Sequence, residues 1–156
     1  MKVLVIYDSK SGNTEKMAWA IAEGAASVEG VEAEVKKIGE SFPLAALAEA
    51  DLVAFGSPVI YADVTDEMRG FLEHVNRYIK AGRMDVKRSR AAIFGSYGYD
   101  GAWIMEERLK KMVDGLGYEV LDKVCVETDS KLRHSPTDPL SNCKAFGKEI
   151  AESLKK

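Results

Sequence analysis

The stretch Asp8-Ser9-Lys10-Ser11-Gly12-Asn13-Thr14 carries a hydroxyl, an amide or a charge on nearly every side chain. It lies between an apolar run, Val3 to Tyr7, and a segment with helical periodicity, so it marks the turn where a strand gives way to a helix. The first turn of a helix leaves four backbone N–H groups unpaired and carries the positive end of the helix dipole, which favours an anion by roughly 0.3–1 kcal/mol. A phosphate placed there satisfies those groups. Gly12 lets the backbone turn closely around the oxygens, and Ser9, Ser11, Thr14 and the Asn13 amide supply further donors. GxxxxGK[ST] is absent, Lys10 precedes the glycine, and no GxGxxG occurs. The loop therefore suits a terminal monophosphate held mainly by neutral donors. The alternative reading, a polar cap that only starts the helix, is excluded only by what lies near it in space.

Two further loops bear on that question. Phe55-Gly56-Ser57-Pro58-Val59-Ile60-Tyr61-Ala62-Asp63 follows a second apolar run and combines a backbone restrained by Pro58 with exposed apolar bulk at Ile60 and Tyr61. Phe94-Gly95-Ser96-Tyr97-Gly98-Tyr99-Asp100-Gly101 repeats the theme, with two aromatics on a glycine-rich frame. Two such loops can flank a slot. A flat heteroaromatic ring buries both faces in a slot of this kind, and an aromatic contact adds roughly 0.5–1.5 kcal/mol beyond area burial.

The elements that must position these loops are legible from periodicity. Val3 to Tyr7, Leu52 to Gly56, Ala91 to Gly95 and Val120 to Val126 read as strands, and three of them are almost continuously apolar, as strands covered on both faces are. Val31 to Ile38 alternates apolar and polar residues and reads as an edge strand with one wet face. Between them Met17, Ile21, Ala25 and Val28 share a helical face. Met68, Phe71, Leu72, Val75 and Ile79 do the same after a Thr65 cap. Ile104, Leu109 and Met112 mark a third helix, and Phe146, Ile150 and Leu154 a closing one. Pro43 to Ala50 reads as a short helix opened by Ser41. Strict alternation predicts an α/β fold, a doubly wound five-stranded parallel sheet of order 2-1-3-4-5 with helices on both faces. Strands 1 and 3 diverge at their carboxyl ends in that order, and ligands bind at such a switch point.

The 156 residues fit one domain, 1–156, and the formal net charge of −3 gives no reason to expect nucleic acid. The basic run Arg83 to Arg90 reads as a solvated loop. The apolar start is too short for a secretory signal or a membrane span, so a cytoplasmic location is expected. Cys125 and Cys143 are far apart in sequence and His74 and His134 are isolated, so neither a disulfide framework nor a metal site is expected, and the cysteines read as packing residues.

Tyr7 to Glu15 resembles the FMN phosphate loop of flavodoxins, a strand followed by [ST]-x-[ST]-G-N-T. Gly56-Ser57-Pro58 and Gly95-Ser96-Tyr97-Gly98-Tyr99 resemble the flavodoxin domain of flavodiiron proteins, where GSP and a GSYGW-like run occur. The resemblance implies FMN as cofactor, its phosphate held by Ser9, Ser11, Asn13 and Thr14 around Gly12. Lys10 departs from the pattern and is expected to face solvent. It further implies that Pro58, Val59, Ile60, Tyr61 and Ala62, with Ser96, Tyr97, Gly98, Tyr99, Asp100 and Gly101, clasp the isoalloxazine. Tyr99 is then placed over one face and Ile60 or Tyr61 near the other. Many flavodoxins have a glycine after the inner-face residue; if Ile60 is that residue, Tyr61 replaces the glycine, and a bulky side chain is expected to resist positive φ. Asp63, Asp66, Glu67 and Asp100 are expected to disfavour added negative charge on the flavin and so to lower its potential.

No HxExD ligand set of a flavodiiron centre is present, and Val126 to Leu140 lacks the insertion of long-chain members, so the chain resembles a free-standing short-chain module. The function implied is a non-catalytic FMN electron carrier between redox partner proteins, with no catalytic residue, metal, nucleic acid or membrane partner. Two alternatives remain open: an NAD(P)H-dependent flavin or quinone reductase of the same fold, and a module that has lost its flavin.

Overall fold

The computed structural model describes residues 1–98 and 101–156. Its elements run β1 (Lys2–Tyr7), α1 (Asn13–Ala26), β2 (Glu32–Lys37), α2 (Ala45–Glu49), β3 (Leu52–Pro58), α3 (Asp66–Lys80), β4 (Arg90–Tyr97), α4 (Ala102–Leu116), β5 (Glu119–Thr128), α5 (Asp129–His134) and α6 (Thr137–Ser153). The five strands form one sheet of order β2-β1-β3-β4-β5, every pair parallel. Fold class and strand order are those expected from the periodicity.

Alternation along each strand divides the core in two. Val3, Val5 and Tyr7 of β1 join Ala54 and Phe94 in packing with Met17 and Ile21 of α1 and Phe146 and Ile150 of α6. Leu4, Ile6, Val53, Phe55 and Ile93 turn to the other face, against Met68 and Leu72 of α3 and Leu109 and Val113 of α4. Burial on both faces is why β1, β3 and β4 read as continuous apolar runs, each enclosed side chain contributing about 1.5–3 kcal/mol.

Two local expectations are corrected. The short helix is not opened by Ser41, because α2 begins only at Ala45 with Leu44 as its cap, beyond the reach of the serine hydroxyl. Nor do strands and helices alternate without exception: α5, started by Thr128, whose Oγ1 accepts the Lys131 N–H at 3.3 Å, is followed by a second helix, α6, with no strand between. His134 is the last residue of that helix.

Helices α1 and α6 meet along a seam of small residues. A methyl added at Gly24 would overlap the Lys144 carbonyl, and one at Gly147 the carbonyl of Ile21, so the two backbones approach as only glycines permit. Gly147→Ala is expected to destabilise the fold by about 1–3 kcal/mol in urea unfolding. Gly70→Ala, on an exposed stretch of α3 with open space around it, is expected to stabilise by roughly 0.5–1 kcal/mol. Equal stabilities of the two variants would show that the seam is not closely packed.

Candidate functional site

Parallel pairing aligns the carboxyl ends of three strands. Tyr7 lies opposite Gly56, and Pro58 opposite Ser96. The loops leaving β1, β3 and β4 therefore emerge on one edge of the sheet. Two bonds extend this alignment beyond the strands, Asp8 N–H to Gly56 O at 3.0 Å and Val59 N–H to Ser96 O at 2.8 Å.

In the first loop Gly12 caps α1 in the left-handed region, φ 90°, and supplies no capping side chain. The N–H groups of the first helical turn thus lack an acceptor from their own cap. Ser9 Oγ accepts the Gly12 N–H at 3.0 Å and fixes the curl. Ser11 is exposed. Asn13 and Thr14 are buried: Asn13 Nδ2 donates to Asp129 Oδ1 at 3.0 Å, and the Thr14 and Ser96 hydroxyls share a 2.8 Å bond that joins the first loop to the end of β4. Tyr7 OH donates to Glu15 Oε1 at 2.9 Å, holding this carboxylate to one side, and burial together with that bond pushes the phenol up to about 12. Asp8 is 4% exposed and its Oδ2 has no hydrogen-bond partner among the described residues, an unused acceptor at the root of a loop otherwise rich in donors.

Lys10 does not simply face solvent. Its Nζ donates to Glu67 Oε1 at 2.7 Å and lies 3.9 Å from Asp8 Oδ2, so it bridges from the first loop to the start of α3. The hydrogen bond raises the Lys10 pKa and lowers that of Glu67. Below the bridge a cavity of about 420 Å³ is lined by Lys10, Ile60, Tyr61, Thr65, Glu67 and neighbours. That volume falls within the range of small-molecule sites.

The second loop is held at both ends. Ser57 Oγ donates to Pro58 O at 2.8 Å and accepts the Thr65 N–H at 3.1 Å, while Thr65 Oγ1 caps α3 by accepting the Met68 N–H at 3.2 Å. Between these anchors the chain makes a tight reversal, with Ile60 N–H to Asp63 O at 2.8 Å and Asp63 N–H to Ile60 O at 3.0 Å. Both central residues have positive φ, Tyr61 at 49° and Ala62 at 62°. That is the signature of a type I′ turn, made here without glycine or asparagine. The expectation that Tyr61 resists positive φ is corrected: paired backbone bonds and the flanking anchors impose the conformation, at a cost of about 1–3 kcal/mol per residue. Tyr61 is 99% exposed, so its side chain stands almost entirely in solvent, and Ile60 is 40% exposed.

Asp63 closes the turn electrostatically. Its carboxylate accepts from the Val64 N–H at 2.8 Å, from Arg69 of α3, and from Arg108 of α4 at 2.9 Å. Burial pushes its pKa up, but the Val64 and arginine bonds outweigh this and hold it below its ordinary value of 3.8. Of the carboxylates expected to weigh on a bound ring, Asp63 is thus offset by guanidinium groups and Glu67 by Lys10, whereas Asp66 is exposed. Tyr99 and Asp100 lie outside the described residues. Gly101 abuts the turn from the third loop, a Cβ there falling 3.0 Å from Ala62 Cβ. Gly98 is exposed and Tyr97 partly so.

Sequence reasoning missed Arg69, Arg108, Asp129 and Trp103, the last standing 63% exposed in the first turn of α4. Trp103 carried a visible signal, a large aromatic off the apolar stripe directly after the third loop. The other three are surface-type charges, and only the fold brings them to the site. Among the described residues no group of three or more His, Cys, Asp or Glu side chains is placed to hold a metal, and no helix is long and apolar enough to cross a membrane.

The flavodoxin family model matches residues 5–137. A structure of a flavodoxin from the domain Archaea is 31% identical, covers 100% of both chains and superposes with a TM-score of 0.80. Flavodoxin 1 of Bacillus cereus, at 24% identity and 97% and 98% coverage, has a TM-score of 0.79 and shares the fold. An uncharacterized protein of Methanocaldococcus jannaschii is 30% identical over 97% of this chain, and the chain spans only 36% of that relative's length. Rubredoxin oxygen:oxidoreductase of Desulfovibrio gigas shares the fold at a TM-score of 0.75 and 23% identity, with 36% of its chain covered. With a family model that spans most of the sequence and a loop geometry suited to a phosphate and a planar ring, the chain belongs to the flavodoxin family, whose proteins bind FMN.

Proposed function

We propose that this chain is an electron carrier that holds FMN at the carboxyl edge of its sheet and exchanges electrons with redox partner proteins. The observation that carries the reading is convergence: the start of α1 at Gly12, which has no side-chain cap, is joined to the end of β4 by the Thr14–Ser96 bond, and the loop carrying the Ile60 to Asp63 turn is tied to the same strand end by Val59 N–H to Ser96 O. Residues 1–156 are read as one domain serving that site.

The residues fit the cofactor. Donors of the first loop, Ser9 and Ser11 hydroxyls and the first-turn N–H groups of α1, suit the phosphate. Asn13 Nδ2 gives one N–H to Asp129 and has a second to offer, and the shared Thr14–Ser96 bond leaves one hydroxyl proton to offer. The unused Asp8 acceptor suits a hydroxylated chain. Pro58 to Ala62 and Ser96 to Gly101 supply the walls for the ring. Bound FMN supplies the redox chemistry, and the protein positions it and shapes its electrostatic surroundings.

Ile60, Tyr61 and Trp103 form an exposed apolar rim on the loops and helix start that border this edge. Such a rim suits brief docking of partner proteins. The charge offset at Asp63 and Glu67 means that lowering of the flavin potential falls chiefly to Asp66 and Asp100 in this reading.

Four measurements test the proposal. Apoprotein should take up FMN with a visible spectral change and bind riboflavin roughly a hundredfold more weakly, about 3 kcal/mol for the phosphate contacts. Ser9→Ala should weaken FMN about tenfold and leave riboflavin affinity unchanged; equal binding of FMN and riboflavin by the unaltered chain would remove the phosphate assignment. Asp63→Asn should loosen the turn and weaken FMN about tenfold, roughly 1–2 kcal/mol after solvent screening of the arginines. Because the folded Asp63 carboxyl sits below 3.8, its contribution is intact above that pH and is lost only as pH falls further. NADH or NADPH alone should leave the bound flavin oxidised; rapid bleaching by either would establish a reductase instead.

A further inference from the structure

Cys125 and Cys143 are separated by 18 residues, on a strand and a helix, yet their sulfurs lie 3.7 Å apart. Both are buried, Cys125 at 7% exposure on edge strand β5 and Cys143 at 0% on α6. The expectation that they only pack separately is incomplete. An open groove of about 330 Å³ between β5 and α6 has Cys125 in its lining, together with Val126, Glu127, Asn142, Ala145 and Phe146. Cys143 does not line it and lies behind its partner. One thiol is therefore approachable and the other is positioned to resolve.

We propose that Cys125 and Cys143 are a redox-active dithiol that closes to an intrachain disulfide, with a small-molecule disulfide entering through the β5–α6 groove as oxidant. The Cys125 thiolate attacks one sulfur of the oxidant, forming a mixed disulfide and expelling one thiolate. Cys143, having lost its proton, then attacks Cys125 Sγ and expels the second. Two protein thiols and one small disulfide become one protein disulfide and two small thiols, so electrons and protons balance.

Closing from 3.7 Å to a bond of about 2.05 Å asks roughly 0.8 Å of each sulfur. Rotation about the Cα–Cβ bonds can supply part of it. The rest can come from β5, which is paired with β4 on one side only. The hydrogen bond to Cys125, followed by burial, pushes the Cys143 thiol far up. Once Cys125 is bonded to the incoming sulfur that hydrogen bond is gone and burial alone opposes loss of the Cys143 proton, so the resolving step quickens with pH. The site is remote from the flavin loops in composition and shares no residue with them.

The test uses the FMN-loaded full chain, equilibrated without oxygen with glutathione disulfide, acid-quenched, unfolded and alkylated. Mass spectrometry should find a chain lighter by two hydrogens, both cysteines unalkylated, and one cross-linked peptide pair joining β5 to α6, with a melting temperature raised by several degrees. Dithiothreitol should reverse it. Cys143→Ala should stop at a glutathione adduct on Cys125, and Cys125→Ala should leave Cys143 free to alkylate. Two alkylated thiols in the unaltered chain after prolonged exposure, or a separate glutathione adduct on each cysteine, would overturn the proposal.

Discussion

In-register parallel pairing of β1, β3 and β4 is the constraint on which the remaining structure depends. It is set by side chains that must be apolar on both faces, and it leaves the strands no choice about where their loops emerge. Once Tyr7 stands beside Gly56 and Pro58 beside Ser96, three loops distant in sequence share one edge. Side-chain bonds then join the loops, among them the hydroxyl pair of Thr14 and Ser96, the amide–carboxylate pair of Asn13 and Asp129 and the Lys10–Glu67 bridge. A shift of β1 by one residue against β3 would exchange every core side chain of β1 between faces, which is why these small polar contacts can rely on the register.

The turn at Tyr61 and Ala62 shows the opposite economy. Most of the loop runs in ordinary conformations, but here two side-chain-bearing residues occupy backbone space that suits glycine. The conformation persists because it is over-determined: paired backbone bonds close it, Ser57 and Thr65 pin its ends, and Asp63 ties it to two helices through arginines. Strain concentrated beside a ligand edge, with the surrounding structure absorbing its cost, is the arrangement expected where side chains must be displayed outward. Tyr61 is displayed almost completely.

Much of this was legible in the sequence, and the boundary is physical. Continuous apolar runs revealed β1, β3 and β4 because double-sided burial leaves that imprint, and the alternating Val31 to Ile38 revealed an edge strand for the converse reason. The polar turn after β1 was legible because its hydroxyl and amide side chains are contiguous. Helix α5 was not, since its six residues expose almost everything and its one buried side chain, Leu132, makes no period. The partners of Asp63 were hidden because Arg69 and Arg108 belong to different helices, and the Cys125–Cys143 contact because a strand and a helix meet there across a layer. The positive φ of Tyr61 escaped because local preference argued against it and tertiary bonds prevailed.

The sheet ends on β2 and β5, and each margin is studded with charge: Glu32, Glu34, Lys36 and Lys37 along one, Glu119, Asp122 and Lys123 along the other. A foreign strand laid against either margin would have to strip water from those groups, so neither offers a template on which chains could stack into fibrils. Among the described residues the exposed large apolar side chains are Ile60, Tyr61 and Trp103 beside the loop edge and Met1 and Trp19 elsewhere. Charge along both margins thereby guards the sheet against growth by strand addition.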